Sequence, residues 1–148
     1  MLIFTMNRKA FNVVSIFFNN LTRELLEDYR YKFDNIVPQI PDSLLKFNFI
    51  LKRAKFKITN PLENEDLSEM TNPQEYTTHS KIVVQLGSIR EDINAIVIAD
   101  VFSWLEQVNF EQIQYICSYI KDPRVQDIEV YEALKLFYFE ITILFNFF

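Results

Sequence analysis

The sequence predicts a mainly α-helical bundle of about five helices, and three observations point to it. Only one of the 148 residues is Gly, and turn-rich β folds lean on Gly for backbone at positive φ. Apolar residues recur at steps of three and four through most of the chain, the rhythm of helices with one buried face. The closing stretch 130–148, VYEALKLFYFEITILFNFF, is apolar nearly all round, as a helix enclosed by other protein would be. The alternative is an α+β arrangement with strands near 2–6, 46–58 and 80–86. The length suits one domain over 1–148, with a core large enough to need no staples.

Residues 2–4 are apolar and short, a strand stub or a lead-in to the first helix. From Lys9 to about Phe33, the apolar positions Phe11, Val14, Phe18, Leu21, Leu25 and Tyr29 predict one long amphipathic helix. Pro38 and Pro41 end it, because proline cannot continue the hydrogen-bond ladder. Asp42-Ser43 then offers a cap for a helix over 44–56. The same letters also read as a strand through Phe47, Phe49 and Leu51, with Phe56 and Ile58 in a shifted register.

Residues 59–78, TNPLENEDLSEMTNPQEYTT, form a polar loop with two Asn-Pro pairs and little to bury. Beyond it, Ile82, Leu86, Ile89, Ile93, Ile96, Val97, Val101 and Leu105 keep a helical rhythm, which predicts a helix over 79–107 bent near Gly87. The rival is a strand over 81–86, favoured by the β-branched run Ile82-Val83-Val84, then a helix from Glu91. Asn109 caps a shorter helix with Ile113, Ile116, Cys117 and Ile120 inside, stopped by Asp122-Pro123. The last helix starts near Asp127.

That last helix has two unlike faces. Leu134, Phe137, Ile141, Leu144 and Phe148 make a core face. Leu136, Phe139, Ile143 and Phe147 make a second ridge, interleaved with Glu132, Lys135, Glu140 and Asn146. Mixed polar and aromatic character suits a surface buried only part of the time or against another subunit. A membrane span ranks below this, because three charges interrupt a run too short to cross a bilayer. Trp104 has two readings, core filling or an interface anchor.

Charge is uneven. Net charge is −5, yet residues 1–58 hold ten Lys or Arg against five acids, a balance of +5, and residues 59–148 hold five against fifteen, a balance of −10. Such asymmetry steers association. Lys46, Lys52, Arg53, Lys55 and Lys57, interleaved with Phe47, Phe49 and Phe56, form a basic–aromatic stretch of the kind that tracks phosphates and stacks bases.

No catalytic, metal or cofactor motif emerges, so no cofactor is expected. His79 is the one histidine and lacks ligand partners at metal spacing. Cys117 is the one cysteine, reads as packing, and implies a reducing, intracellular and most simply cytoplasmic setting. Glu63, Glu65, Asp66 and Glu69 lack the alternating ligands and central Gly of a calcium loop. The N-terminal apolar run is interrupted by Asn12 and Ser15 and has no small-residue cleavage site after it.

The leading expectation is a non-catalytic protein–protein interaction or assembly subunit, in its specific form an acidic inhibitor or immunity-type protein for a basic partner. Nucleic-acid binding through 46–57 is the alternative. A carboxylate-dependent enzyme is the third.

Overall fold

The computed structural model describes residues 3–33, 40–59, 81–86 and 92–145, the side chains of 33, 59, 92–94 and 143–145 excepted. Six helices and a three-stranded antiparallel sheet occupy them: β1 (Ile3–Asn7), α1 (Arg8–Asn19), α2 (Arg23–Phe33), α3 (Ser43–Lys52), β2 (Lys55–Thr59), β3 (Lys81–Gln85), α4 (Asp92–Gln107), α5 (Phe110–Tyr119) and α6 (Asp127–Phe145). The chain is thus mainly α with a small β element. All three strands fall within or beside the segments that the α+β alternative named.

Four helices enclose the core in a ring. α1 packs on α6 and α3, and α4 packs on the same two, so α3 and α6 occupy opposite corners. Phe47 of α3 and Phe137 of α6 meet across the diagonal, with ring centroids 5.9 Å apart. Phe18 adds an edge contact to Phe47 at 5.1 Å. The sheet closes one side: Phe4, Met6, Ile82 and Val84 alternate inward and are buried, and Phe4 meets Phe137 edge-on at 5.5 Å. The strand order is β1-β3-β2, which places residues 81–85 at the centre.

The expected helix over 9–33 is two helices. Asn20 ends α1, its Nδ2 donating to the Ile16 carbonyl oxygen at 2.9 Å. The Thr22 hydroxyl oxygen then accepts from the Leu25 N–H at 3.1 Å, capping α2. The break changes the register: Leu26 is buried where the unbroken periodicity put Leu25.

The expected helix over 44–56 ends at Lys52, and residues 55–59 pair instead with β3. The expected continuous helix over 79–107 is replaced by β3 and α4. Ile82, Val84 and Leu86 are all buried, a period of two. Ile82 and Leu86 also stand four apart, so they satisfy the helical rhythm equally well. Strand pairing on both edges decides between them.

The other boundaries agree with expectation. Asn109 caps α5, its Oδ1 accepting from the Gln112 N–H at 2.8 Å. Asp127 opens α6, its carboxylate accepting from the Ile128 N–H at 2.7 Å. A cap that composition hid is Asn7, between β1 and α1, which accepts from the Ala10 N–H at 3.1 Å. Among the described residues no helix is long and apolar enough to cross a membrane.

Candidate functional site

Large apolar side chains are exposed at several places, Tyr31 and Ile96 among them, and on two outward faces, one on α6 and one on α3, they stand among charges of one sign. On α6, Val130, Ala133, Leu134, Phe137 and Ile141 are buried. The far side carries Leu136 at 50% and Phe139 at 60% exposure, with Glu132 exposed one turn before Leu136 and the half-buried Glu140 one turn after it. A helix of this size has no need of two large apolar groups in water, and together they form an apolar centre within an acidic border. Ile143 and Phe147, which extend the same ridge in sequence, lie outside the described side chains.

Lys135 is the one cation of α6, and it leaves this face. Its Nζ donates to the carbonyl oxygens of Leu105 at 3.3 Å and Val108 at 2.8 Å, at the C-terminal end of α4. It also lies 5.3 Å from the Tyr131 ring centroid. A cation at a helix C-terminus meets the negative end of the helix dipole and satisfies carbonyls that have no intrahelical partner. The outward face of α6 is therefore purely acidic among its described charges.

Trp104 does not join this surface. At 6% exposure it belongs to the core, and its Nε1 has no hydrogen-bond partner. It points inward because α4 turns Val97, Val101, Trp104 and Leu105 together toward the interior, with Val108 buried just beyond its end.

On α3, Leu44, Phe47 and Leu51 are buried. Opposite them stands Phe49 at 64% exposure, with Lys46, Lys52 and Arg53 exposed around it. The Lys52 Nζ lies 5.9 Å from the Phe49 ring centroid. Lys55 and Lys57 follow on the outer face of the sheet, where cross-strand register sets them beside Gln85 and Val83. Both are exposed, as are Lys81 and Thr5 on the same face. Of the five basic residues singled out in the sequence, Lys46, Lys52 and Arg53 are exposed on or just after α3, and Lys55 and Lys57 are exposed on the outer face of the sheet. The sequence left Phe49 undecided, because the strand reading put it on one face with Phe47 and Leu51, whereas the helix turns it away from both.

Beside Phe49 runs a groove of about 470 Å³ between α2 and α3, floored by Leu26 and Leu45. Arg30 holds its wall by donating to the Ile40 carbonyl oxygen at 3.1 Å and by pairing with the Asp42 carboxylate. Hydrogen bonding to Arg30, then the nearby positive charges of Arg30, Arg23 and Lys46, hold Asp42 below the usual carboxylate range. With Glu27 also in its lining, the groove holds Arg23, Arg30 and Lys46 against Glu27 and Asp42 and is only weakly basic.

A second groove of about 510 Å³ lies between α1 and the turn into α6, with Val13, Ile16 and Ile128 as its apolar lining. Its Arg124 is engaged with Asp122 through Nε at 3.0 Å and Nη2 at 2.6 Å. Asp122 also accepts from Asn20 Nδ2 at 3.3 Å, fastening the end of α1 to this turn.

Asp42 and Asp122 are both pushed down by arginine, opposite to the rise that makes a carboxyl a general acid near neutral pH. Cys117 is pushed up to about 12, chiefly by burial, and is a thiol rather than a nucleophilic thiolate at neutral pH. No group of His, Cys, Asp or Glu able to hold a metal occurs among the described residues. His79 and Glu63, Glu65, Asp66 and Glu69 lie outside them. No family model, no curated protein and no solved structure matches this chain.

Proposed function

We infer that this chain is a non-catalytic protein–protein interaction or assembly subunit that docks a partner on the outward face of α6. The observation that carries this reading is the exposure of Leu136 and Phe139 beside Glu132 and Glu140. Burying two large apolar groups favours association, and the acidic border selects a basic partner and speeds encounter. In its specific form the chain is an acidic inhibitor or immunity-type protein. The test is affinity capture from the native host with wild type and with Leu136→Ser/Phe139→Ser. A partner retained by wild type and lost by the folded variant supports the reading. Equal capture by both removes it.

A second reading rests on the basic surface around Phe49. Lys46, Lys52, Arg53, Lys55 and Lys57 are arranged for phosphates with an exposed ring for a base. A single-stranded oligonucleotide whose binding weakens steeply with salt, and is lost in Lys52→Glu/Arg53→Glu, supports it.

A further inference from the structure

We propose that the partner received by the α6 face is a second copy of this chain, which presents its α3 face, so that copies join head to tail. This rests on the interaction reading above and names its occupant.

The two faces are complementary in charge and alike in apolar content. α6 offers Leu136 and Phe139 with Glu132 and Glu140, and no cation among its described residues remains there because Lys135 is drawn to the end of α4. α3 offers Phe49 among Lys46, Lys52 and Arg53, and of the two acids in the groove beside it, Glu27 and Asp42, the second is already paired with Arg30. The groove beside Phe49, floored by Leu26 and Leu45, has a volume of about 470 Å³. That is ample for the apolar side chains of a facing helix. Buried between two copies, the carboxylates of one would lie against the ammonium and guanidinium groups of the other. Either face left alone keeps its aromatic ring in water.

The position of the two faces decides the kind of assembly. α3 and α6 hold opposite corners of the helical ring, and Phe47 and Phe137 meet between them in the core. Their outward faces therefore point away from each other. Two copies related by a two-fold axis cannot satisfy both faces of both copies. A first contact leaves one free α6 face and one free α3 face, and a third copy can add. Contacts of this heterologous kind give rings where the rotation closes and open chains where it does not.

The experiment is sedimentation velocity and light scattering of the purified full chain across about a hundredfold range of concentration. Wild type is expected to rise in mass beyond a dimer and to lose association at high salt, because exposed charge pairs are screened. Leu136→Ser/Phe139→Ser blocks one face, and Lys52→Glu/Arg53→Glu blocks the other. Each variant alone is expected to be monomeric with unchanged helicity. Mixed, they are expected to form a 1:1 heterodimer and stop there, since each retains the face that the other has lost.

All four positions mutated for charge or polarity are exposed, and circular dichroism excludes an unfolded variant. Should the serine pair unfold, Glu132→Lys/Glu140→Lys takes its place and the mixing test stands. A closed dimer insensitive to the α3 substitutions overturns the proposal. So does wild type that stays monomeric at every concentration. A monomer that captures a different partner through Leu136 and Phe139 overturns self-assembly and leaves the interaction reading intact. A monomer whose α3 face binds a single-stranded DNA oligonucleotide instead assigns that face to nucleic acid and also overturns it. If neither mass nor capture depends on α6, both readings fail.

Discussion

The Nζ of Lys135 donates to the Val108 carbonyl oxygen at 2.8 Å, so α6 supplies the cap that ends α4. Sequence placed Lys135 among the polar groups of the ridge. Its true role depends on where the neighbouring helix stops, and that is a fact of tertiary packing. Replacing it with Met keeps the length of the side chain and removes the donor. Lys135→Met is expected to cost about 1–3 kcal/mol, in the range for a lost hydrogen bond from a charged group. Urea unfolding at pH 7 measures it.

The same residue has a pH signature. Burial lowers the Lys135 pKa below its ordinary 10.5, so the unfolded chain binds its proton more tightly. Between the folded and unfolded values, stability attributable to Lys135 rises with pH and is fully gained above 10.5. The difference in unfolding free energy between wild type and Lys135→Met should therefore grow as pH climbs toward 10.5. A difference that stays flat from pH 7 to 11 would show that the ammonium is not desolvated.

Asp122 should govern part of the acid limb of stability. Hydrogen bonds from the Arg124 side chain and backbone, then from Asn20, hold its pKa far below the usual carboxylate value. A depressed carboxyl contributes stability that is present above its unfolded pKa and lost as pH falls toward the folded value. Asp122→Asn is expected to lower stability at pH 6 and to lower it less near pH 2, the gap closing only as pH falls further. Parallel curves at both pH values would count against the link between α1 and this turn.

How far the sequence could be read follows from where one rhythm implies one structure. Phe137 and Ile141 could be placed in the core because nothing but a helix explains nineteen residues of sustained periodicity. Asn109 could be placed as a cap because its side chain acts locally. The Ile82–Leu86 pair could not be placed, since a spacing of four is shared by a strand face and a helix face. The triplet Asn20-Leu21-Thr22 held the break in the first helix, as a C-terminal amide followed by an N-terminal hydroxyl. An apolar pattern running past it masks that signal. Exposure of Phe49 follows only once residues 43–52 are known to be helix, because the strand reading put Phe47 and Phe49 on one face. The two candidate faces were legible as compositions, but their opposed directions were not. Those depend on which four helices form the ring.

Cys117 offers a test of local burial. Desolvation, with the negative charge of Asp127 adding to it, pushes the thiol up to about 12. Labelling by a disulfide reagent at pH 8 requires thiolate. The native chain should react at least about a hundredfold more slowly than the chain in denaturant. Rapid labelling of folded protein would place the end of α5 in solvent and remove it from the packing described.

Trp104 provides the final check on the core. It is the only tryptophan in the chain, and at 6% exposure its emission should be blue-shifted and poorly quenched by iodide. Unfolding should move the emission red in one step with the loss of helicity. Because the indole Nε1 has no hydrogen-bond partner, Trp104→Phe removes a buried donor along with volume. The two effects oppose, so the substitution is expected to cost less than about 2 kcal/mol, below the usual loss for truncating a core aromatic. Trp104 should also stay unquenched when copies associate or a partner binds, since it lies on neither outward face. A large emission change on association, with helicity intact, would move the interface to α4 and away from Phe139.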